Sequence, residues 1–426
     1  MKIHKAYKTE LKPNNKQRTA LLQHAGSARW AYNWGLTQVK AAVAAGTKIP
    51  SAITLHKQLV ILKHISAEQG GHSWLKDCSI TVTNEALRAL ERAVWDCLNQ
   101  KKTGNQKGFP QYKSRKRDGI GSFKLIAPSS CSGRNIKLPK LGQFRLKEAG
   151  HLPECGPVKG KTAANIKLLS TTVSERAGHW FVSVAVEEEI GDPQPNPSLP
   201  ILGCDVGSRK LAVTSDGSIY QNPKALTRSL KQLARLQRAV SRKIKGSKNQ
   251  EKAKKRVATL HYKISCIRRD ALHKTSNSRT KNCSALVVED LNVKGMLRNH
   301  KLARVLSDAG IGELLRQLRY KAQWRGIDLQ TASQWYPSSK TCSSCGCQKL
   351  DLGSSETFRC CGCGLTLDRD LNAAINLGNL YPNLIACKTT VNSTVAACGE
   401  ESSGFNSNVE VKLASAKQEI PPVGAN

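Results

Sequence analysis

Two Cys-x2-Cys motifs constrain this chain more than any other feature of its sequence. They comprise Cys342, Cys345, Cys360 and Cys363, and 14 residues separate the two motifs. Four thiolates at this spacing are typical of a site that holds one tetrahedral Zn²⁺, and the metal supplies folding energy to a loop too short to bury a core of its own. Because no ligand position stays open, the motifs predict a structural zinc ion. Cys347 and Cys361 are surplus, and either one could replace a ligand.

The charge balance indicates the kind of partner. Among 426 residues, 67 are Lys or Arg and 31 are Asp or Glu, which gives a net charge of +36. A field of this size opposes a compact state unless a polyanion neutralises it, so we expect a protein that binds nucleic acid. Residues 223–281 carry 19 basic and two acidic residues around two helical apolar stripes. This pattern predicts a basic helical hairpin that contacts phosphates.

A basic membrane-surface protein is the alternative explanation of this charge. The sequence has no lipid-anchor motif, and its first residues, MKIHKAYKTELKPN, lack the apolar stretch of a signal peptide. No segment approaches the roughly 18 apolar residues of a membrane-spanning helix. We therefore expect a cytoplasmic protein that does not bind membranes.

The apolar pattern of the first half predicts four segments and a linker. They are a strand over 2–11, helices over 17–100, a basic loop over 101–117, and β-rich sequence over 120–190. Period-two alternation indicates the strands and helical spacing indicates the helices. Four prolines within residues 191–200 mark the linker and a domain boundary.

The second half continues with alternating strands and helices. We expect strands over 201–221 with a turn at Asp216-Gly217, a buried strand over 284–292, a helix over 311–325, a strand over 328–336 and a short helix from Leu371. Residues 385–426 lose this pattern, and their composition predicts a disordered tail.

Three acidic residues stand out by their surroundings. Asp205 lies in the apolar run LGCDVG, Glu289 closes the apolar run LVVE, and Asp370 lies at the start of the helical segment LNAAINL. Buried carboxylates are costly unless they bind cations, and three acids from separate elements can hold two Mg²⁺ for phosphodiester cleavage.

Other roles remain open for these acids and their neighbours. Asp370 could instead cap the helix that follows it. Asp290 and Asp368 are adjacent competitors that spacing alone does not exclude. Asp216 we assign to a hairpin turn.

Several short motifs follow one another in a fixed order along the chain. The N-terminal half carries Gly26-x2-Arg29-x3-Asn33 and Gly108-Phe109-Pro110. The C-terminal half carries GCDVG, VVEDLNVKGM, SDAGIGELLRQLRYKAQWRG, PSSKTCSSCG and, after the second cysteine pair, DRDLNAA. Together these motifs resemble those of TnpB proteins, which are transposon-encoded relatives of type V CRISPR nucleases. The resemblance covers roughly residues 1–380.

The resemblance implies a multidomain α/β protein with β-barrel and helical parts. Its RNase H-like (RuvC) nuclease domain would comprise 201–336 and 366–384, with a zinc ribbon that binds target nucleic acid inserted at 337–365 and the basic hairpin at 223–281. A wedge-like β-barrel would comprise 1–13 and 105–192, with a helical recognition domain inserted at 14–104. Residues 193–200 would link the halves, and the tail would begin at 385.

The resemblance also implies an RNA-guided DNA endonuclease. Asp205, Glu289 and Asp370 match the catalytic acids of the family, which would hold two Mg²⁺. The partners would be a noncoding guide RNA from the transposon end and double-stranded target DNA beside a short flanking motif, with one protein monomer per RNA. The alternatives are an RNA-guided repressor that does not cut, a strand-transferring transposase and a zinc-ribbon DNA-binding regulator.

The basic segments and the family motifs together nominate contacts to nucleic acid. The residues that we assign to this role are Arg29, Lys113, Arg115, Lys116, Arg117, Lys243, Lys245, Lys255, Arg256, Arg268 and Arg269. Phosphate contacts of this kind would follow the guide RNA and the heteroduplex backbone.

Overall fold

A computed structural model describes the fold. It covers residues 1–65, 71–102, 108–126, 130–153, 161–162, 166–194, 196–349 and 355–386. The predicted disordered tail begins too early, because residues 385 and 386 belong to a helical segment, and its residues 387–426 lie outside this part of the chain. None of the helices in the described ranges is long and apolar enough to cross a membrane.

The N-terminal half forms one eight-stranded antiparallel sheet. Its strands are β1 (Lys2–Lys12), β2 (Ser122–Leu125), β3 (Ser130–Ser132), β4 (Asn135–Leu138), β5 (Gly142–Leu146), β6 (Lys161–Thr162), β7 (Ile166–Arg176) and β8 (His179–Glu189). The pairing order is β2-β7-β8-β1-β5-β4-β3, with β6 beside β7. The strand predicted over 2–11 and the β-rich stretch over 120–190 are therefore confirmed.

The predicted β-barrel is wrong in one respect, because this sheet does not close. In the described residues its pairing path ends at β2 on one side and β3 on the other. Apolar side chains of both end strands, Phe123 and Cys131, nevertheless join one core with Leu21, Ala25 and Val82. Helical side chains thus share the core of the open sheet, and the short end strands offer few pairing groups.

Besides a helical segment over residues 381–386, ten helices with both ends in the described part of the chain accompany the sheets. They are α1 (Asn15–Ala44), α2 (Ala52–His64), α3 (Ile80–Lys102), α4 (Arg115–Asp118), α5 (Ala225–Ser241), α6 (Lys248–Arg279), α7 (Val293–Met296), α8 (His300–Ala309), α9 (Ile311–Arg325) and α10 (Arg369–Asn379), with a 3₁₀ turn at Ser73–Asp77. The helices predicted over 17–100, the hairpin within 223–281 and the helix over 311–325 are confirmed. One turn of helix, α4, replaces the end of the predicted basic loop.

The C-terminal half is built on a mixed five-stranded sheet. Its strands are β9 (Ile201–Asp205), β10 (Lys210–Thr214), β11 (Ile219–Gln221), β12 (Ala285–Glu289) and β13 (Asp328–Ala332), in the order β11-β10-β9-β12-β13. β9, β12 and β13 run parallel, whereas β10 and β11 are antiparallel to their neighbours. A separate hairpin pairs β14 (Thr357–Arg359) with β15 (Thr366–Asp368). The strand predicted over 328–336 is shorter than expected, since it ends at Ala332.

Successive side chains along the central strands alternate between the two faces of this sheet. Leu202, Cys204, Leu286 and Val288 face a core shared with α8 and α9. The intervening residues of the same strands point to the opposite face, because successive side chains of a strand alternate. Val287 packs there against Leu377 of α10. Strand β9 and strand β12 therefore end with Asp205 and Glu289 on the face that α10 covers.

Gly203 sets the distance between α10 and β9. A Cβ atom at this position would lie 2.0 Å from the carbonyl oxygen of Ala374 and 2.3 Å from the amide nitrogen of Gly378. Real Cβ atoms do not approach backbone atoms so closely, so any other residue would push the helix away from the sheet. The first glycine of GCDVG therefore allows α10 to pack closely against β9.

Two buried ion pairs anchor the basic hairpin. Asp308, only 2% exposed, accepts hydrogen bonds from the backbone N–H groups of Leu226 and Thr227 at the start of α5 and from the Arg268 guanidinium. It thus caps a helix whose own N-cap side chain makes no such bond. At the end of α6, Arg279 donates to Thr214 and to Asp216, both at 3.0 Å.

Replacing Gly203 by alanine should displace α10. Because both close contacts are to backbone, which cannot rotate away, we expect a loss of about 3 kcal/mol in the free energy of unfolding, at the upper end for overpacked sites. Urea denaturation of the purified protein measures this loss. Gly26→Ala is the matched control, since a Cβ there meets nothing within 4 Å. Equal stability of the Gly203→Ala variant and the wild type would contradict the packing role.

Protonation of Asp216 should account for part of the stability that the protein loses in acid. Partial burial opposes its ionisation, but hydrogen bonds from Thr214, Ser218 and Arg279 lower the pKa of Asp216 to about 2. Because this pKa lies below the ordinary value of 3.8, which holds in the unfolded chain, the ionised Asp216 carboxylate stabilises the fold at pH values above 3.8. This contribution is lost as the pH falls towards 2. We expect about 1 kcal/mol after allowing for solvent screening. Denaturation of wild type and Asp216→Asn between pH 5 and 2 tests it, because the variant should lack this part of the acid dependence.

Candidate active site and metal centre

The three acids singled out in the sequence line one cleft of about 490 Å³. Asp205 ends β9, and Glu289 ends the parallel neighbour β12, one residue beyond the pair Cys204 and Val288. Asp370 lies in the first turn of α10, which covers this face of the sheet. Strand register and helix packing therefore bring together carboxylates that are far apart in the sequence.

The electrostatics of the cleft favour a bound cation. Burial, together with the charges of Glu289 and Asp370, raises the pKa of Asp205 to about 7, while Arg369 opposes this shift. Three carboxylates that line one cleft, one of which has a raised pKa, are an oxygen donor set that a divalent ion can neutralise. The residues present therefore fit a carboxylate-bound Mg²⁺ site.

Lys210 supplies part of the neutralising charge within the protein. Its Nζ atom lies 2.6 Å from Asp368 Oδ2 and 3.3 Å from Asp370 Oδ2. These contacts raise the pKa of Lys210 despite its partial burial. Lys210 was not singled out in the sequence, where it is one of many lysines.

The neighbouring acids have other roles. Asp368 is the N-cap of α10, and its Oδ1 accepts hydrogen bonds from the N–H groups of Asp370 and Leu371. The helix therefore starts at Arg369, two residues before its predicted start, and Asp370 is free of the capping role. The Asp290 backbone N–H donates to Ala332, and its side chain is exposed. Asp216 lies in the predicted turn and holds Arg279.

Two asparagines of α10 attach the first cysteine loop to the cleft, and the sequence reading missed them. The side chain of Asn372 bonds the Ser343 N–H at 3.0 Å and the Thr341 carbonyl at 2.7 Å. Asn376 donates to the carbonyls of Ser338 and Thr341. The Ser338 hydroxyl in turn donates to Glu289. Their spacing of four residues on one helix face was the available signal.

The four cysteines of the two motifs converge. The Sγ atoms of Cys342, Cys345, Cys360 and Cys363 all lie within 4.8 Å of one another, and the distances are 3.6 Å for Cys342–Cys363 and 3.5 Å for Cys345–Cys360. Tetrahedral Zn²⁺ with bonds of about 2.3 Å separates its sulfurs by about 3.8 Å. The donor set and the spacing therefore fit one zinc ion.

The surplus cysteines form a separate pair. Cys347 and Cys361 have their Sγ atoms 3.8 Å apart and do not join the four-thiol group found among the described residues. Backbone hydrogen bonds from Cys363 and Gly362 favour the thiolate of Cys360 and lower its pKa to about 6. The geometry thus favours the four motif cysteines over the alternatives left open by the sequence.

The basic residues nominated for nucleic-acid contacts differ in their availability. The side chains of Arg115, Lys243, Lys245, Lys255, Arg256 and Arg269 are exposed. Lys113 and Arg117 are exposed too, but Lys113 Nζ lies 3.8 Å from the centre of the Tyr32 ring and Arg117 pairs with Asp118. Arg29 is partly buried and donates to the carbonyl of Ile120. The side chain of Lys116 lies outside the described residues.

Arg268 has a structural role that the sequence did not suggest. Its guanidinium donates to the side chain and the backbone carbonyl of the buried Asp308. These groups lie 40 residues apart, so the basic run around Arg268 gave no sign of the pairing. A phosphate contact by Arg268 would have to compete with this ion pair.

The sequence is similar to known proteins over most of its length. Residues 1–48, 181–300 and 312–377 match family models described as "Helix-turn-helix domain", "Probable transposase" and "Cas12f1-like, TNB domain". "Putative RNA-guided DNA endonuclease InsQ" of Escherichia coli (strain K12) is 32% identical over 409 residues, which cover 92% of this chain and 96% of that protein. A "Putative RNA-guided DNA endonuclease" of Streptomyces pristinaespiralis is 32% identical over 377 residues, covering 88% and 89%.

Among solved structures, a Cas12f1–sgRNA–target DNA complex aligns with a TM-score of 0.32 and 15% identity, covering 88% of this chain and 99% of that one.

The fold defines a multidomain α/β protein. In its C-terminal half, a cleft lined by three carboxylates lies next to two loops that carry four clustered cysteines. Because the two relatives named above are each 32% identical to this chain over most of their length, the chain belongs to the TnpB family.

Loss of one motif cysteine should abolish metal binding at the four-thiol cluster. In Cys360→Ser a hydroxyl replaces one thiolate, so we expect zinc content to fall from one ion per chain to near zero. Zinc released by a thiol-reactive mercurial and measured with a chromophoric chelator tests this. Cys361→Ser is the matched control in the same loop and should keep its zinc. Loss of zinc from the control, with retention in Cys360→Ser, would reverse the ligand assignment.

Proposed function

We propose that this protein is an RNA-guided DNA endonuclease that cleaves double-stranded DNA beside a short flanking motif. The observation that carries the proposal is the convergence of Asp205, Glu289 and Asp370 in one cleft of a mixed sheet. The names of the full-length relatives support the same activity. The partners would be a noncoding guide RNA from the transposon end and the target DNA.

The three acids would hold two divalent ions. Mg²⁺ suits such carboxylate oxygens, and when bound the two ions supply the Lewis acidity for phosphodiester hydrolysis. The chain's own residues position the acids: the sheet fixes Asp205 and Glu289, and the Ser338 hydroxyl orients Glu289. Arg369 lines the same cleft and is suited to attract a phosphate of the DNA strand.

The domain assignment extends this proposal. The five-stranded sheet with α10 would be the RuvC-like nuclease within 201–336 and 366–384, and the cysteine loops within 337–365 the zinc ribbon. The open sheet of 1–13 and 105–192 would be the wedge, with helices of 14–104 as the recognition domain. The exposed basic residues of α6 and its preceding turn would contact the RNA scaffold and the heteroduplex.

Replacing Asp205 by alanine should abolish DNA cleavage and leave RNA binding intact. The change removes one cleft carboxylate without touching the exposed basic residues, and we expect the cleavage rate to fall by about 10³-fold or more. The measurement uses protein copurified with its transposon-end RNA, a plasmid target and Mg²⁺. RNA recovery on the purified protein is the second readout.

Asp290→Ala is the matched control, because Asp290 is an exposed acid next to Glu289 and does not line the cleft. It should cleave at the wild-type rate. Cleavage by Asp205→Ala at that rate would refute the acid assignment. Specific target binding without cleavage by the wild type would instead indicate the RNA-guided repressor.

A further inference from the structure

One pair of cysteines is left without a role by the carboxylate cleft and the four-thiol cluster. Cys347 follows the first motif and Cys361 lies inside the second, and their Sγ atoms are 3.8 Å apart. Cys361 is exposed and Cys347 is partly exposed, whereas Cys78, Cys204 and Cys283 are buried. The pair is therefore open to small reagents in solution.

The loops that carry the pair are already in contact. The Cys342 N–H donates to the Cys347 carbonyl at 2.9 Å, which fixes the first loop around its own motif. A Cβ atom at Gly362, next to Cys361, would lie 3.5 Å from Cys347 Cβ and 3.7 Å from its Sγ. The motif cysteines of the two loops are also adjacent, with Sγ distances of 3.6 Å for Cys342–Cys363 and 3.5 Å for Cys345–Cys360.

Little movement separates these thiols from a covalent bond. A disulfide has an S–S distance of about 2.05 Å, so the two sulfurs need to approach by less than about 2 Å. The flanking residues Gly346 and Gly362 leave the backbone free to adjust, and Gly346 already adopts a φ of 73°.

We propose that Cys347 and Cys361 form an oxidative modification site, at which a disulfide such as oxidised glutathione closes a cross-link between the two loops. The four motif cysteines keep their metal while this bond forms. The location of the bond rests on the geometry of the pair alone, and its effect on metal release rests on the zinc site proposed above.

The reaction proceeds by two thiol–disulfide exchanges. One thiolate of the pair attacks oxidised glutathione, forms a mixed disulfide and releases one glutathione thiolate. The second thiolate of the pair then attacks the protein sulfur of that mixed disulfide and releases the other glutathione. Two protein thiols are oxidised, one oxidised glutathione is reduced to two glutathione molecules, and the two protons leave with these products.

The cross-link has a physical consequence for the metal. Once Cys347 and Cys361 are joined, the two loops stay together even when zinc leaves, so its four ligands remain at high effective concentration. We expect zinc release to a strong chelator to slow by about tenfold or more in the oxidised protein, because a departing ion is recaptured.

The test uses the full-length zinc-loaded protein, treated with oxidised glutathione, then alkylated and digested. The expected result is one peptide pair that links Cys347 to Cys361, unchanged zinc content and slower zinc release. Cys347→Ser and Cys361→Ser should each lose both the linked peptides and the slower release. Cys266→Ser is the control, since Cys266 is a partly exposed cysteine on α6, and it should behave as the wild type.

Three outcomes would overturn the proposal. They are disulfides among the four motif cysteines with loss of zinc, mixed disulfides that never close, and more than one zinc ion per chain bound through the pair. Zinc content before oxidation is measured separately, so a chain without zinc would refute the metal site while peptide mapping still decides where the disulfide forms.

Discussion

The approach of α10 to strand β9 across Gly203 is the contact on which the rest of the C-terminal half depends. It allows backbone of α10 to lie directly on the sheet, where any side chain at position 203 would intervene. The same helix carries Asp370 and Asn372 in its first turn and Asn376 one turn further on. One close packing contact therefore positions both a cleft acid and the polar groups that hold the first cysteine loop.

Electrostatics explain why this arrangement is informative about function. The chain carries a net charge of +36, so cations to neutralise an acid are abundant in its sequence. Asp216 and Asp308 do find arginine partners, and their pKa values are lowered. Asp205 instead faces two further carboxylates, and its pKa is raised. Acids that stay together in such a basic chain are what the proposed divalent-metal site would require.

Local patterns predicted most elements, and long-range pairing accounts for what they missed. Alternation and helical spacing located β9, β12, α5, α6 and α9, because burial of one face determines those periods. The role of Arg268 depends on Asp308, 40 residues away, and a basic run looks the same with or without that partner. Closure of the N-terminal sheet likewise depended on whether β2 and β3 meet, which no local pattern encodes.

The ambiguity between Asp368 and Asp370 has a different origin. A helix start favours a carboxylate for capping, and a metal site favours one for ligation, so both acids of DRD satisfied the same sequence pattern. In the structure the two acids have different contacts. Asp368 accepts hydrogen bonds from the first free N–H groups of α10. Asp370, inside the first turn, lines the cleft together with Asp205 and Glu289. Since Lys210 contacts both carboxylates, the cap and the cleft acid share one counter-ion. The geometry of the helix start and the charge of the cleft are therefore coupled.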